Sequence, residues 1–127
     1  MTRNDPIALA IVDDDDDVRT ALSRLLQAMG HPVEVFASAE EFEAATVAVD
    51  CVIVDVRLPG LSGIELGQRL RGRTTPVPVV LVTGDGDRLS RDFSRPTDSP
   101  LLTKPFDDEM LTAAIAEAIA TCPRHAR

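Results

Sequence analysis

The chain has 127 residues, 44% of them hydrophobic, which is enough for one domain with a single core. We expect one domain over residues 1–127, with its core within residues 7–120. The formal net charge of −8 opposes direct binding to nucleic acid or to an anionic membrane surface. No segment approaches the roughly 20 apolar residues that cross a bilayer, and there is no export signal, so we expect a cytoplasmic protein.

The chain begins with an alternation of strand and helix patterns. Ile7–Val12 is a short continuous apolar run, which predicts a buried strand. From Val18 to Met29 the apolar residues recur at helical spacing, and Gly30 follows them as a predicted C-terminal cap. Val33–Phe36 then predicts a second strand.

The middle of the chain continues this alternation. Ala39–Ala45 predicts a short helix, and Cys51–Val54 predicts a strand that is apolar on both faces. A strand of this kind is typical of the centre of a parallel sheet, where helices cover both faces. Ser62 and Glu65 have the spacing of a capping box and predict the start of a third helix that ends near Arg71.

The last third of the chain contains one break in the pattern. Val77–Val82 and Leu101–Thr103 predict the fourth and fifth strands, and the apolar spacing over Phe106–Ile119 predicts a closing amphipathic helix. Between Thr83 and Pro100 the glycines and prolines indicate at most a short or irregular helix. Five strands alternating with about five helices predict an α/β fold with a doubly wound parallel sheet.

Polar side chains follow four of the five predicted strands. Asp13 and Asp14 follow the first strand, Asp55 the third, Thr83 the fourth and Lys104 the fifth. Ligands of open parallel sheets bind beyond the carboxyl ends of the strands, so these side chains are expected to converge. Two carboxylates about 4 Å apart repel by roughly 4 kcal/mol at an effective dielectric constant near 20. Such a cluster therefore predicts a hard divalent cation, for which Mg²⁺ with oxygen ligands is the natural candidate.

A cation and a lysine beside an exposed carboxylate also suit a phosphoryl group, and the carboxylate can itself be the nucleophile. This chemistry predicts an aspartyl-phosphate site. The sequence resembles the receiver domain of two-component response regulators over essentially its whole length. The resemblance is carried, in this order, by Val12-Asp13-Asp14, Val54-Asp55-Val-Arg-Leu-Pro-Gly-Leu-Ser-Gly63, Val82-Thr83-Gly84 and Lys104-Pro105-Phe106.

The resemblance implies a flavodoxin-like sheet with strand order 2-1-3-4-5. It also implies that Asp55 accepts a phosphoryl group from a histidine kinase or a histidine phosphotransfer protein. Asp14, Asp55 and the backbone carbonyl of Arg57 would bind Mg²⁺, and Asp13 would act mainly through a water molecule. The chain would then be a phosphoacceptor signalling domain, with only self-catalysed phosphoryl transfer and dephosphorylation, and not an enzyme acting on a separate substrate.

The same resemblance assigns the switch. Thr83 would hydrogen-bond the phosphoryl group and Lys104 would pair with it, and the bond between Lys104 and Pro105 is cis in the family. The resulting change of conformation would be read by a downstream effector protein or an output domain. A phosphorylation-dependent homodimer is a further expected form, whereas no direct binding to nucleic acid or membrane is expected.

Five consecutive aspartates, Asp13 to Asp17, allow a second interpretation. Alternate acids such as Asp13, Asp15 and Asp17 occur in EF-hand calcium loops, but here the glycine position holds Val18 and the bidentate glutamate position holds Arg24. The later acids of the run instead suit the positive end of the following helix.

Three departures from the family pattern are expected to matter. Leu101 stands where many receivers carry an aromatic switch residue, and Leu89–Pro100 does not match the usual fourth helix. Arg57 and Asp85 are predicted to pair across the mouth of the site and to slow phosphoryl loss. A receiver-like binding module that works without phosphorylation therefore remains an alternative.

A second class of protein and the two cysteines complete the sequence evidence. A phosphatase of the haloacid-dehalogenase type would require Asp-x-Asp-x-Thr after the first strand, and Asp17 is followed by Val18 instead. Cys51 and Cys122 have no second ligand at metal-binding spacing, so we predict a buried structural thiol and an incidental one near the C-terminus.

Overall fold

The computed structural model describes residues 6–84 and 99–122. This part of the chain contains five strands and four helices. The strands are β1 (Leu9–Val12), β2 (Val33–Phe36), β3 (Cys51–Asp55), β4 (Val79–Thr83) and β5 (Leu101–Thr103). The helices are α1 (Asp16–Ala28), α2 (Ala39–Ala45), α3 (Gly63–Arg71) and α4 (Asp108–Thr121).

The strands form one parallel sheet in the order β2-β1-β3-β4-β5, so the predicted fold class and strand order are confirmed. Since β1 and β3 are neighbours in the middle of the sheet, the chain crosses over β1 between β2 and β3. The register aligns Val12 with Val54 and Asp55 with Val82. The residues that follow these strands therefore emerge together at one edge of the sheet.

A separate hydrophobic core lies on each face of the sheet. Val52 and Val54 of β3 face the core that α2 and α3 cover, where Phe42 is the largest buried side chain. Cys51 and Ile53 face the opposite core, which α1 and α4 cover. Because β3 is buried along its whole length, its apolar sequence is explained by contacts on both faces.

Hydrogen bonds to side chains set the helix starts. The side chain of Asp15 accepts hydrogen bonds from the backbone N–H groups of Asp17 and Val18, so α1 begins two residues before the apolar pattern does. Ser62 and Glu65 form the predicted capping box of α3, and Asp107 caps α4. Each N-terminus therefore carries an acceptor for N–H groups that have no partner within the helix.

The expectation for Cys122 was wrong. Cys122 directly follows α4, and its side chain is fully buried. Its Sγ atom lies 3.6 Å from the carbonyl oxygen of Pro76. Cys51 is also buried, and burial raises the pKa of its thiol to about 12. Cys51 therefore stays protonated at neutral pH and is a packing residue, as predicted.

No described helix is long and apolar enough to span a membrane. The helix predicted between the fourth and fifth strands, together with Asp85, falls in residues 85–98 and lies outside the described residues.

Candidate functional site

Three aspartates meet at the carboxyl edge of the sheet. Asp13 and Asp14 follow β1, and Asp55 is the last residue of the adjacent β3. One carboxylate oxygen from each lies within 4.8 Å of the others. Asp13 is 3% exposed and Asp55 9% exposed, whereas Asp14 is open to solvent. The cluster therefore has two buried carboxylates and one exposed carboxylate.

A lysine provides the positive charge in this site. Lys104 follows β5, and its Nζ atom lies 3.4 Å from Oδ2 of Asp55 and 3.7 Å from Oδ2 of Asp13. Its backbone N–H donates a hydrogen bond to the carbonyl of Thr83, and its bond to Pro105 is cis. The three clustered carboxylates thus outnumber the ammonium group that contacts two of them, and a divalent cation would offset the excess negative charge.

The aspartates from Asp13 to Asp17 have different roles: the first two belong to the acidic cluster, and Asp15 caps α1. Oδ1 of Asp13 accepts a hydrogen bond of 2.9 Å from the N–H of Asp15, which closes a turn at the floor of the site. Arg19 of α1 donates from Nη1 to the carbonyl oxygen of Asp13 at 2.6 Å and forms an ion pair with Asp16. The sequence analysis did not identify Arg19 as a residue that supports the site. Its position one helical turn after Asp15 could have indicated a contact with the aspartates before the helix.

The loop after β3 holds Asp55 by its backbone. Oδ1 of Asp55 accepts a hydrogen bond of 2.8 Å from the N–H of Arg57, so Oδ2 is the oxygen that faces Lys104. Gly63, the first residue of α3, packs against the carbonyl group of Asp55 with no room for a side chain. The sequence motif includes Gly63 without assigning it a role, and this contact explains why glycine ends the motif.

Thr83 ends β4 beside Asp55. Its side chain is fully buried, and it lies opposite Thr103 in the sheet, next to Lys104. The structure thus brings all the predicted site residues to one edge of the sheet. Arg57 is exposed at the loop after β3, whereas its predicted partner Asp85 lies outside the described residues.

The Asp13 carboxyl group has a raised pKa. Burial raises the pKa of Asp13 above its usual value, and the nearby Asp55 carboxylate adds to the rise. The N–H of Asp15 and the ammonium group of Lys104 act in the opposite direction without cancelling it. The ionised form of Asp13 therefore costs folding free energy when no cation is bound.

Replacing Asp13 by Asn should stabilise the chain in the presence of a chelator. Because the folded-state pKa is raised, the folded chain binds a proton before the unfolded chain does, and wild-type stability rises as the pH falls toward the ordinary value of 3.8. The variant should therefore gain about 1–2 kcal/mol at pH 7 and lose this advantage on acidification. Urea unfolding between pH 7 and pH 4 measures both effects.

The exposed carboxylate of Asp108, in the first turn of α4, offers a matched control. Asp108→Asn removes the same charge outside the cluster and should leave stability nearly unchanged at pH 7. If Asp13→Asn destabilises the metal-free chain at pH 7, the electrostatic description of the cluster is wrong.

The parallel sheet in this strand order defines a flavodoxin-like α/β domain. At the carboxyl edge of the sheet, its three clustered carboxylates and a lysine form a site whose oxygen atoms suit a cation. The family model of the response regulator receiver domain matches residues 9–116, and the chain belongs to this family. It is a signalling domain of two-component systems, and the expected family and function class are confirmed.

Curated relatives include the transcriptional regulatory protein FixJ of Bradyrhizobium diazoefficiens, 39% identical over 112 residues. This match covers 86% of the chain and 55% of the relative. The response regulator protein TmoT of Ectopseudomonas mendocina is 34% identical over 117 residues, which cover 90% of the chain and 53% of the relative. The chain therefore spans about half the length of the curated relatives it matches.

Solved structures agree with this assignment. The BeF3-activated receiver domain of DrrB has a TM-score of 0.75 and 29% identity, and the match covers 90% of the chain and 97% of DrrB. Full-length FixJ from B. japonicum has a TM-score of 0.74 and 35% identity, with 94% of the chain and 59% of FixJ covered. Sequence and structure comparisons thus point to receiver domains of FixJ-like regulators.

Proposed function

We propose that Asp55 of this receiver domain accepts a phosphoryl group from a histidine kinase or a histidine phosphotransfer protein in a Mg²⁺-dependent reaction. The observation that carries the proposal is the meeting of Asp13, Asp14 and Asp55 within 4.8 Å, with Lys104 at 3.4 Å from Asp55. Membership in the receiver family supports the same role. The domain would occupy residues 1–127 as one unit.

The side chains present fit Mg²⁺. The donors are carboxylate oxygens, which a small hard cation prefers, and the cluster carries more negative than positive charge. Asp14, Asp55 and the backbone carbonyl of Arg57 would hold the ion, with Asp13 acting mainly through a water molecule. When bound, the ion would offset the negative charge of the attacking carboxylate and of the phosphoryl oxygens.

The residues of the chain supply the other parts of the reaction. A carboxylate oxygen of Asp55 attacks phosphorus, the bond from phosphorus to the donor nitrogen breaks, and the leaving imidazole takes up a proton. The N–H of Arg57, 2.8 Å from Oδ1, orients the carboxylate before the attack. Lys104 would pair with the transferred group, a role supported by the 3.4 Å between its Nζ atom and Asp55, and the Thr83 hydroxyl would hydrogen-bond it.

Phosphorylation would change the population of two conformations. The acyl phosphate on Asp55 would carry about −1.5 to −2 charges in place of the single negative charge of the carboxylate, and Lys104 would then redistribute its contacts between Asp13 and the new anion. A downstream effector protein or an output domain would read the change, and a phosphorylation-dependent homodimer is one form it could take. The relatives' greater length is compatible with an output domain in the same polypeptide.

The experiment is intact mass spectrometry after incubation with Mg²⁺ and phosphoramidate, with EDTA in a parallel sample. We expect one phosphoryl group per chain with Mg²⁺ and none with EDTA. Borohydride reduction of the acyl phosphate, followed by peptide mapping, should place the modification on Asp55. Phosphorylation that is equally efficient in EDTA, or that maps to another residue, would contradict the proposal.

A further inference from the structure

A surface hydrogen bond connects α2 to the loop between β3 and α3. Glu40 is the second residue of α2, and its Oε2 atom accepts a hydrogen bond of 2.9 Å from the backbone N–H of Leu61. Gly60, just before it, has a φ of +75°, and a Cβ there would lie 2.6 Å from the same oxygen. Glycine at this position therefore permits both the turn and the approach of the carboxylate.

Other hydrogen bonds of this loop join it to the sheet and to α3, since the N–H of Val56 donates to the carbonyl of Val82 at 2.9 Å. Ser62 and Glu65 satisfy each other in the capping box of α3, and the N–H of Gly63 donates to the carbonyl of Val56 at 3.2 Å. These bonds fix the beginning of α3 but do not connect the loop to the neighbouring helix. The contact from Glu40 does so, and it acts on the same loop that carries Arg57.

The helix that carries Glu40 is itself well anchored. Phe42 is 2% exposed and packs in the core beneath α2, and Glu41 accepts a hydrogen bond from the N–H of Ala37. Glu43 forms an ion pair of 2.8 Å with Arg69 of α3. The hydrogen bond from Leu61 lowers the pKa of the Glu40 carboxyl, with a smaller contribution from Arg69, so Glu40 is ionised at neutral pH.

We infer that Glu40 is a positioning residue of the phosphoacceptor site, holding the loop of residues 56–62 so that the backbone of Arg57 is in place for Mg²⁺. The inference rests on the proposed function, because the role of Arg57 as a ligand is part of that proposal. It adds a residue on α2, outside the four receiver motifs. An anchored loop loses less conformational freedom when the ion binds, and this raises the affinity.

The test compares Glu40→Ala, Glu40→Gln and Glu43→Ala with the wild-type chain. Glu40→Ala removes the acceptor of the Leu61 N–H, whereas the amide oxygen in Glu40→Gln can still accept this hydrogen bond. Glu43→Ala removes a charge from the same helix and breaks its ion pair with α3 but leaves the loop contact intact. It therefore controls for general loosening of the helix.

Two measurements on each variant separate loop anchoring from stability. Amide hydrogen exchange at Leu61 in the metal-free protein reports the hydrogen bond itself, and an NMR titration with Mg²⁺ gives the dissociation constant. We expect Glu40→Ala to speed exchange at Leu61 and to raise the dissociation constant about three- to tenfold, which is the range for one lost hydrogen bond. Glu40→Gln and Glu43→Ala should stay within about twofold of wild type.

Each other outcome has a definite meaning. Unchanged Mg²⁺ affinity in Glu40→Ala, with faster exchange at Leu61, would show that the contact does not position the site. Equal weakening in Glu43→Ala would assign the effect to packing of α2 on α3 and would also overturn the inference. A wild-type chain that binds no Mg²⁺ would contradict the proposed function as well, so the two failures are distinguishable.

Discussion

Replacing Asp55 by Asn should abolish phosphorylation by phosphoramidate in the presence of Mg²⁺. The amide has no ionised oxygen to attack phosphorus, and it also removes one of the three carboxylates of the cluster. The N–H of Arg57 can still donate to the remaining carbonyl oxygen, so the loop after β3 should keep its conformation. We therefore expect a folded chain that gains no phosphoryl group in intact mass spectra.

Asp108→Asn serves as the matched control here too, because it removes one exposed carboxylate that does not belong to the acidic cluster. It should be phosphorylated to the same extent as wild type. Phosphorylation of Asp55→Asn at the wild-type level would show that another side chain is the acceptor. The assignment of Asp55 would then be wrong even if the Mg²⁺ requirement held.

Replacing Gly63 by Ala should cause the largest loss of stability among the substitutions considered. A Cβ at Gly63 would clash with the carbonyl oxygen of Asp55, and it would lie 2.7 Å from the Asp55 carbonyl carbon and 2.8 Å from Cα of Val56. All of these are backbone atoms of β3 and its loop, so no rotation of a side chain can relieve the contact. We expect a loss of about 3 kcal/mol in the free energy of unfolding, at the upper end for overpacking.

The control for this variant is Gly72→Ala, at the other end of α3. Gly72 has a φ of −89°, and a Cβ there would meet only the carbonyl oxygens of the preceding helical turn, the nearest at 3.3 Å. Its effect on the free energy of unfolding should remain within about 1 kcal/mol. Urea unfolding measures both variants, and equal stability of Gly63→Ala and wild type would disprove the close packing of α3 against β3.

The backbone shift expected in Gly63→Ala should also slow phosphorylation at the site. Because Gly63 contacts the peptide group of Asp55 itself, relief of the clash must displace either α3 or the end of β3. Either shift would change the position of the Asp55 carboxylate relative to Lys104, now 3.4 Å away. Folded Gly63→Ala is therefore expected to be phosphorylated more slowly than wild type, whereas Gly72→Ala is not.

Local patterns were sufficient for most elements of the fold. Apolar runs placed β2 and β5 at the observed residues, and the helix over Ala39–Ala45 was also predicted with its observed bounds. These predictions succeed because strand and helix periodicity depends on residues close in sequence. The start of β4 was predicted two residues early, since Val77 is buried but does not pair with β3.

The identity of the site residues could also be read from the sequence. Asp13, Asp14, Asp55, Thr83 and Lys104 each follow or end a predicted strand, and the rule that parallel strands present their carboxyl ends at one edge brings them together. This rule needs only the alternation of strands and helices. It does not require knowledge of any distance.

Contacts between distant parts of the chain were decided by the tertiary structure. Glu40 and Leu61 are 21 residues apart, and nothing in either segment indicates their hydrogen bond. Cys122 is predicted to be an incidental residue near the C-terminus but is buried beside Pro76, because the end of α4 packs against the segment that precedes β4. The sequence by itself determined the class of fold and the chemical groups of the site, since these follow from local periodicity. Only the packing of helices on the sheet determined which side chains hold that site in place, because such contacts depend on the relative placement of whole elements.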